Sequence, residues 1–90
     1  MKTGDTIHFR TNKSWYMAPI IDAESPNINT IGGTINLPGP PTTYKGILMK
    51  NYVPNNQFME VKITHAVKDK IDTELNWIHV ELIKENIELI

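Results

Sequence analysis

The sequence contains no cysteine, and this absence removes several kinds of chemistry at once. Without thiols the chain cannot form disulfides, use a thiolate nucleophile or build the cysteine-rich zinc sites found in many small domains. The amino terminus shows no signal-peptide pattern, and no apolar run approaches the ~20 residues needed to span a bilayer. We therefore expect a cytoplasmic protein that does not associate with membranes.

The chain also lacks an excess of charge of either sign. Nine basic residues against ten acidic ones give a formal net charge of -1. Such a chain has no general attraction for a phosphate backbone, so nucleic acid is disfavoured as a partner. The 90 residues, 40% of them hydrophobic, provide material for one core, and we expect a single domain over residues 1–90. A core this small favours additional burial against a partner or a second copy of the chain.

Alternating apolar and polar residues indicate a chain built mainly from short strands. Ile7 and Phe9 alternate with polar neighbours and should point into the core. A second strand over residues 15–21 contains Pro19, which cannot donate a ladder hydrogen bond, so we expect an edge strand or a bulged one. Two later stretches alternate with the same period of two. Their inward residues are predicted to be Met59, Val61, Ile63, Ile78, Val80 and Leu82.

The most specific local signal is the pair Gly32-Gly33 between two strand-like runs. Glycine adopts positive φ angles without steric cost, so residues 28–37 are predicted to form a hairpin with a two-residue turn. In that register Ile31 lies opposite Thr34. A disordered loop is the alternative. The face of the hairpin directed at the core would comprise Ile28, Thr30, Ile35 and Leu37.

A proline-rich connector and a second hairpin follow. Residues 38–41 contain three prolines, which fix φ and lack an N–H, and they are predicted to form a stiff, exposed spacer. A proline-rich ligand for an aromatic groove is the alternative. Residues 44–53 and 58–67 are predicted to form strands joined by turn residues at 54–57. The first of these strands has apolar residues on both faces, which favours burial on both sides or contact with a partner.

Residues 65–75 are open to two interpretations. Apolar residues recur there at every fourth position, as on a short amphipathic helix. We favour the alternative, in which the preceding strand continues to Val67 and a charged loop covers residues 68–76. A strand over 77–83, a brief turn at 84–86 and a short last strand then follow.

Several short strands separated by turns indicate an all-β fold, and a small barrel is the architecture that we expect. The ending, in which a strand is followed by a one-turn kink and a very short last strand, resembles the close of SH3-like barrels. This resemblance is one of shape over residues 77–90, without a diagnostic motif, and it assigns no family. An OB-like barrel is the alternative. A short helix at 65–75 would favour it, because that fold places a helix between its third and fourth strands.

No pattern for catalysis or metal binding is present. Ser14 and Ser25 lie outside any nucleophile-elbow motif. The spacing of His8, His65 and His79 does not bring two imidazoles to one face of a single element, so no metal site is expected. We therefore expect no cofactor and a protein that is not an enzyme, although catalytic groups assemble in space and a sequence can hide them.

Aromatic and basic side chains are the remaining candidates for a binding surface. Such residues stack on nucleic-acid bases and also dominate protein interfaces. If residues 15–21 form a strand, one of the adjacent aromatics Trp15 and Tyr16 must point inward. An exposed Trp77 would indicate an interaction surface on the penultimate strand. The candidate binding residues are Arg10, Lys13, Trp15, Tyr16, Tyr44, Tyr52, Trp77 and His79.

Three hypotheses for function follow. The leading one is a non-catalytic module that binds another protein, or a second copy of itself, through an exposed edge and an aromatic surface. The second is an oligonucleotide-binding barrel that stacks bases on Tyr44, Tyr52 or Trp15. Its phosphate contacts would come from Arg10, Lys13, Lys45 and Lys50. The third is an accessory inhibitor or virion component from a phage or mobile element, suggested by small size and an asparagine-, isoleucine- and lysine-rich composition.

Overall fold

Eight strands and one short 3₁₀ helix make up the protein in a computed structural model that describes residues 1–24 and 30–90, with three side chains excepted. Those side chains belong to Thr30, Ile31 and Asn76. The described residues contain no α-helix. In chain order the elements are β1 (Thr6–Thr11), β2 (Tyr16–Ala23), β3 (Thr30–Ile31), β4 (Thr34–Leu37), β5 (Thr43–Leu48), β6 (Phe58–Lys68), β7 (Ile71–Ile83), the 3₁₀ helix (Lys84–Asn86) and β8 (Ile87–Leu89).

The strands form one antiparallel sheet whose order differs from the order along the chain. From one edge to the other it runs β3, β4, β2, β7, β6, β5, β1 and β8. The all-β class expected from the sequence is confirmed, but the sheet is not closed, because β3 and β8 remain as edges. Among the described residues, no helix is long and apolar enough to cross a membrane.

The core lies on one face of this sheet, as the alternation predicted. Ile7 and Phe9 of β1 are buried, and so are the six inward residues predicted on β6 and β7. Buried side chains from β1, β2, β4, β5, β6, β7 and β8 form one hydrophobic cluster. The period of two therefore identified which face of each long strand points inward.

β5 is shorter than predicted, and of the two alternatives for its apolar faces, burial on both sides is wrong. It ends at Leu48 rather than at Val53, and the chain then forms a loop until β6 begins. Only one side of β5 belongs to the core, because Leu48 is buried while Ile47 is partly exposed. A Cβ on Gly46 would lie 2.5 Å from Val61 Cγ1, so only glycine fits where the register of β5 and β6 shifts.

β2 is an interior strand, which corrects the expectation of an edge. It pairs with β4 on one side and with β7 on the other, because the chain returns to it from two distant segments. The register with β7 shifts between Ile20 and Asp22, which confirms the bulge. Pro19 immediately precedes the first residue paired with β7, and the Ile20 N–H donates to the Gly33 carbonyl at 2.9 Å.

The hairpin at Gly32-Gly33 is confirmed. The two glycines have φ angles of 58° and 78°, as the predicted turn requires. Ile35 and Leu37 of this hairpin are buried. The predicted pairing of residues 28 and 29 lies outside the described residues. The observed pairs are Thr30 with Ile35 and Ile31 with Thr34.

Residues 65–75 form neither a helix nor a charged loop. β6 continues to Lys68 and β7 begins at Ile71, so a turn at Asp69 and Lys70 joins the two strands. Both turn residues have positive φ, 52° and 65°, which matches the twist of a tight hairpin. The apolar residues at every fourth position, Val67, Ile71 and Leu75, lie on both sides of this turn and on two different strands, not on one helix.

Candidate interaction surface

Three loops and the 3₁₀ helix meet at one end of the molecule, and we call this surface the loop end. The Asn12 N–H donates to the Asn86 carbonyl at 3.0 Å, which ties the β1–β2 loop to the 3₁₀ helix. The Lys84 N–H donates to the Gln57 carbonyl at 2.9 Å, which ties the helix to the β5–β6 loop. The loop end comprises residues 12–15, 38–41, 54–57 and 84–86.

The proline-rich connector supports the β1–β2 loop from the side. Buried Thr11 donates a hydrogen bond from Oγ1 to the Pro38 carbonyl at 2.7 Å. A Cβ on Gly39 would lie 3.0 Å from the Lys13 carbonyl oxygen and 3.0 Å from Ser14 Cα. Only glycine permits this approach without moving the backbone of the loop. The predicted spacer therefore also holds the loop in place.

Trp15 projects from this loop into solvent. Its side chain is 76% exposed, the largest fraction for a large hydrophobic residue in the described chain. Its φ angle of 58° places it in the left-handed region, which bulky residues rarely occupy because Cβ crowds the backbone. Met17, two residues further on, is 45% exposed. Exposed apolar side chains thus lie in the loop end, at Trp15, and beside it on β2, at Met17.

Tyr16 is the aromatic residue of this pair that points inward. It is buried, and its phenol oxygen accepts a hydrogen bond from the Ile83 N–H at 2.8 Å. Burial raises the pKa of the Tyr16 phenol, and the hydrogen bond from Ile83 opposes that rise. Tyr16 therefore anchors the start of β2 to the end of β7 and does not offer a contact surface.

The two basic residues predicted for this surface are separated. Arg10 Nη2 lies 3.7 Å from Glu88 Oε1 on the neighbouring strand β8. The Arg10 Nε atom is buried and has no hydrogen-bond partner within the described residues. Lys13 is exposed in the loop that carries Trp15. Of the two, only Lys13 shares the loop end with the exposed tryptophan.

Tyr44 and Tyr52 are buried, which corrects their expected availability for stacking on a ligand. The Tyr44 ring stacks on Phe9 with ring centres 5.4 Å apart, and burial raises the pKa of its phenol well above the ordinary range. The Tyr52 hydroxyl donates to the Asn56 carbonyl at 3.3 Å. Tyr44 of β5 and Tyr52 of the β5–β6 loop both belong to the hydrophobic cluster, so both side chains contribute to packing.

Trp77 and His79 lie together on the outer face of β7, away from the core. Their rings meet edge to face with centres 6.3 Å apart, and Lys62 Nζ lies 4.6 Å from the centre of the Trp77 ring. His79 Nε2 lies 3.5 Å from Glu60 Oε2 but is not aligned for a hydrogen bond. Trp77 is partly covered, and its ring already engages a cation of the same chain, the Lys62 ammonium.

The described surface includes two clefts with defined linings. The larger, of about 320 Å³, lies between the β5–β6 loop and the paired strands β6 and β7. The smaller, of about 200 Å³, is bounded mainly by apolar side chains of β4 and of the facing part of the sheet. Neither cleft includes residues 12–17, so Trp15 projects as a knob rather than lining a cavity. No group of three metal-ligating side chains occurs among the described residues.

Sequence reasoning missed the residues that line the larger cleft. The register of β6 and β7 places Glu60 directly opposite Glu81, and Phe58 of β6 lines the same cleft. Alternation alone assigns these residues to the outer face, but their pairing depends on the turn between the strands. Because residues 68–76 were predicted to be a loop, the register of the two strands could not be derived from the sequence. A tight turn at Asp69 would have fixed that register, except for the shift caused by the bulge.

The function of the loop end must be inferred from its own geometry. Comparison of the chain with protein-family models, with curated proteins and with solved structures finds no match.

Proposed function

We propose that the protein is a non-catalytic interaction module that binds another protein through the loop end, with Trp15 as the anchor side chain. The observation that carries this proposal is a largely exposed tryptophan held in a left-handed backbone conformation. Tryptophan is enriched among the residues that dominate protein binding free energies. Backbone strain maintained by neighbouring contacts is also concentrated at binding sites.

The loop end is ordered by contacts within the chain, which supports the same proposal. Asn12 bonds to the 3₁₀ helix, and Gly39 packs against the loop backbone beside Ser14. Ordering a flexible contact residue on binding costs about 0.5–1.5 kcal/mol per side chain. A loop that is already ordered before binding reduces this cost, so more of the free energy gained by burying Trp15 contributes to affinity.

The proposal includes an SH3-like arrangement of the sheet and a cytoplasmic location. The arrangement is supported by the 3₁₀ helix that leads directly into β8, and by the pairing of β8 with β1. The location rests on the lack of cysteine.

Binding of an oligonucleotide receives less support from the same geometry. Tyr44 and Tyr52 are buried, and Arg10 lies outside the loop end, beside Glu88 of β8. Of the residues predicted for stacking and phosphate contact, only Trp15 and Lys13 lie at the loop end, whereas single-strand binders combine several of each along a groove. Titration of single-stranded DNA at low and high salt tests this alternative, because phosphate contacts weaken steeply as salt rises.

The test of the proposed function compares Trp15→Ala with Ile71→Ala. Ile71 is also a strongly exposed hydrophobic residue, but it lies at the opposite end of β7 from the 3₁₀ helix. The wild-type protein and both variants are used as baits in a native lysate of the source cells. Any bound protein is then purified and its affinity measured by calorimetry.

We expect Trp15→Ala to weaken binding by at least 30-fold, which corresponds to the ~2 kcal/mol of a hot-spot residue. The Ile71→Ala variant should bind as the wild type does. A partner that binds both variants equally, or that is lost only with Ile71→Ala, would contradict the proposal.

A further inference from the structure

The larger cleft borders the loop end at Asn56 and Gln57, but the proposed function does not use its carboxylates or Phe58. Its lining includes the outer-face residues Phe58 and Glu60 of β6 and Glu81 of β7, and Glu60 lies directly opposite Glu81 in the register of the two strands. Phe58 is 48% exposed and lines the same cleft as the two carboxylates. The volume of about 320 Å³ is at the lower limit for ligand pockets, which suits one side chain rather than a larger molecule.

The two carboxylates of this cleft, Glu60 and Glu81, are incompletely paired. Like charges directly opposite each other on neighbouring strands are destabilising. Glu81 has no ion-pair partner within the described residues, and Glu60 has only long contacts, 3.9 Å to Lys50 Nζ and 3.5 Å to His79 Nε2. Charge-assisted hydrogen bonds are much shorter, about 2.7–2.9 Å. The Lys50 side chain is 74% exposed, and such surface pairs hold weakly.

The next pair of residues on the outer face of β6 and β7 shows how an aromatic ring is already matched with a cation in this protein. There Lys62, which lies opposite His79, extends its ammonium over the Trp77 ring. An aromatic ring and a cation thus already meet on β6 and β7. Phe58 and the two glutamates form a second aromatic site on these strands, and no cation of the described chain lies over the Phe58 ring.

We infer that this cleft binds an arginine side chain presented by a partner protein, with the guanidinium between Glu60 and Glu81 and stacked on Phe58. Arginine fits better than lysine because its planar group stacks on an aromatic face and donates two parallel hydrogen bonds to a carboxylate. Lys50 is displaced toward solvent when the guanidinium enters. This binding does not depend on Trp15, which lines neither cleft.

The probe is a short uncharged peptide with a single arginine, titrated into the isotope-labelled protein at low salt while amide shifts are recorded. The matched peptide carries citrulline, which has the shape of arginine without its charge. We expect saturable shifts at Gln57, Phe58 and Glu81 with a dissociation constant of about 1 mM, and at least tenfold weaker binding of the citrulline peptide.

Two variants with opposite effects test the assignment. Glu81→Gln should weaken arginine binding at least fivefold, and it should melt no lower than the wild type because it removes a like-charge contact. Lys50→Ala should tighten binding severalfold, because the competing cation is gone. Glu74→Gln, the same change on an exposed residue of the same strand, should leave the affinity unchanged.

The inference is overturned by any of three results with folded protein. These are the absence of a saturable shift at tens of millimolar peptide, equal binding of the arginine and citrulline peptides, and an unchanged affinity in Glu81→Gln. Loss of the partner in Trp15→Ala tests the loop end and leaves the arginine titration unaffected, so the two proposals fail separately.

Discussion

At the scale of single residues, the backbone of Trp15 shows a conflict between local preference and its surroundings. A left-handed conformation costs a residue with a Cβ roughly 1–2 kcal/mol, and the exposed ring recovers little of this by packing. Asparagine would occupy the same φ angle more easily, because its short polar side chain bonds locally to the backbone. The tryptophan is therefore a residue that stability alone would not select.

We predict that Trp15→Asn raises the free energy of unfolding by about 1 kcal/mol and abolishes binding at the loop end. Trp15→Ala is the matched control, because alanine also removes the ring but keeps the strain of a Cβ at positive φ. Urea titration monitored by circular dichroism measures both variants. If the asparagine variant is no more stable than the alanine variant, the backbone at residue 15 is not strained as described.

At the scale of elements, the hairpin β3–β4 depends on two glycines at positive φ. Gly33→Val should cost about 1–2 kcal/mol, because a β-branched residue is strongly disfavoured there. Gly33→Asn should cost less. Since Ile35 and Leu37 of this hairpin belong to the core, we expect global stability to fall rather than binding alone. Unfolding free energy and partner affinity, measured for both variants, distinguish the two effects, and unchanged stability of Gly33→Val would refute the turn.

The elements that could be predicted from sequence are those with local signals. The Gly-Gly turn and the alternation around Met59 and Val80 each depend on neighbours in the chain, and these predictions were confirmed. The interior position of β2 was missed because it is decided by strands far away in sequence. Pro19 suggested an edge, whereas pairing with β7 starts just after it.

For the candidate surface, the sequence indicated which types of residue take part but not which of them are exposed. Trp15 was one of eight residues selected for type, and nothing local indicated that it would project while Tyr16 turned inward. The cause lies partly in the connector, where Gly39 contacts the loop backbone. Tyr44 and Tyr52 show the reverse case, since aromatic residues with no local signal for burial fill the core.

At the scale of the whole molecule, the open sheet and the small core favour association. Two sheet edges remain, and apolar side chains such as Ile21 are half exposed. Binding that is specific to the folded state stabilises it by RT ln(1 + [L]/Kd), which is about 2.7 kcal/mol at a hundredfold excess over Kd.

We therefore predict that the protein self-associates or occurs in a complex. Its melting temperature should then rise when the partner is added or when the protein concentration is increased. Light scattering at micromolar concentration and thermal melts over a hundredfold concentration range measure the first case. The native pull-down identifies the second. A monomer whose melting temperature is independent of concentration, and which captures no protein, would contradict the prediction.

The pairing of β8 with β1 also has a kinetic consequence. This ladder joins Phe9 to Leu89, from opposite ends of the sequence, whereas the β6–β7 hairpin closes through a two-residue turn. Contacts between distant residues require a large loss of chain entropy before they contribute, and high contact order slows folding. The long hairpin is expected to form early and the β1–β8 ladder late. Until that last step, the edge of β1 remains open to strands from other chains, so folding at high concentration carries a risk of mispairing.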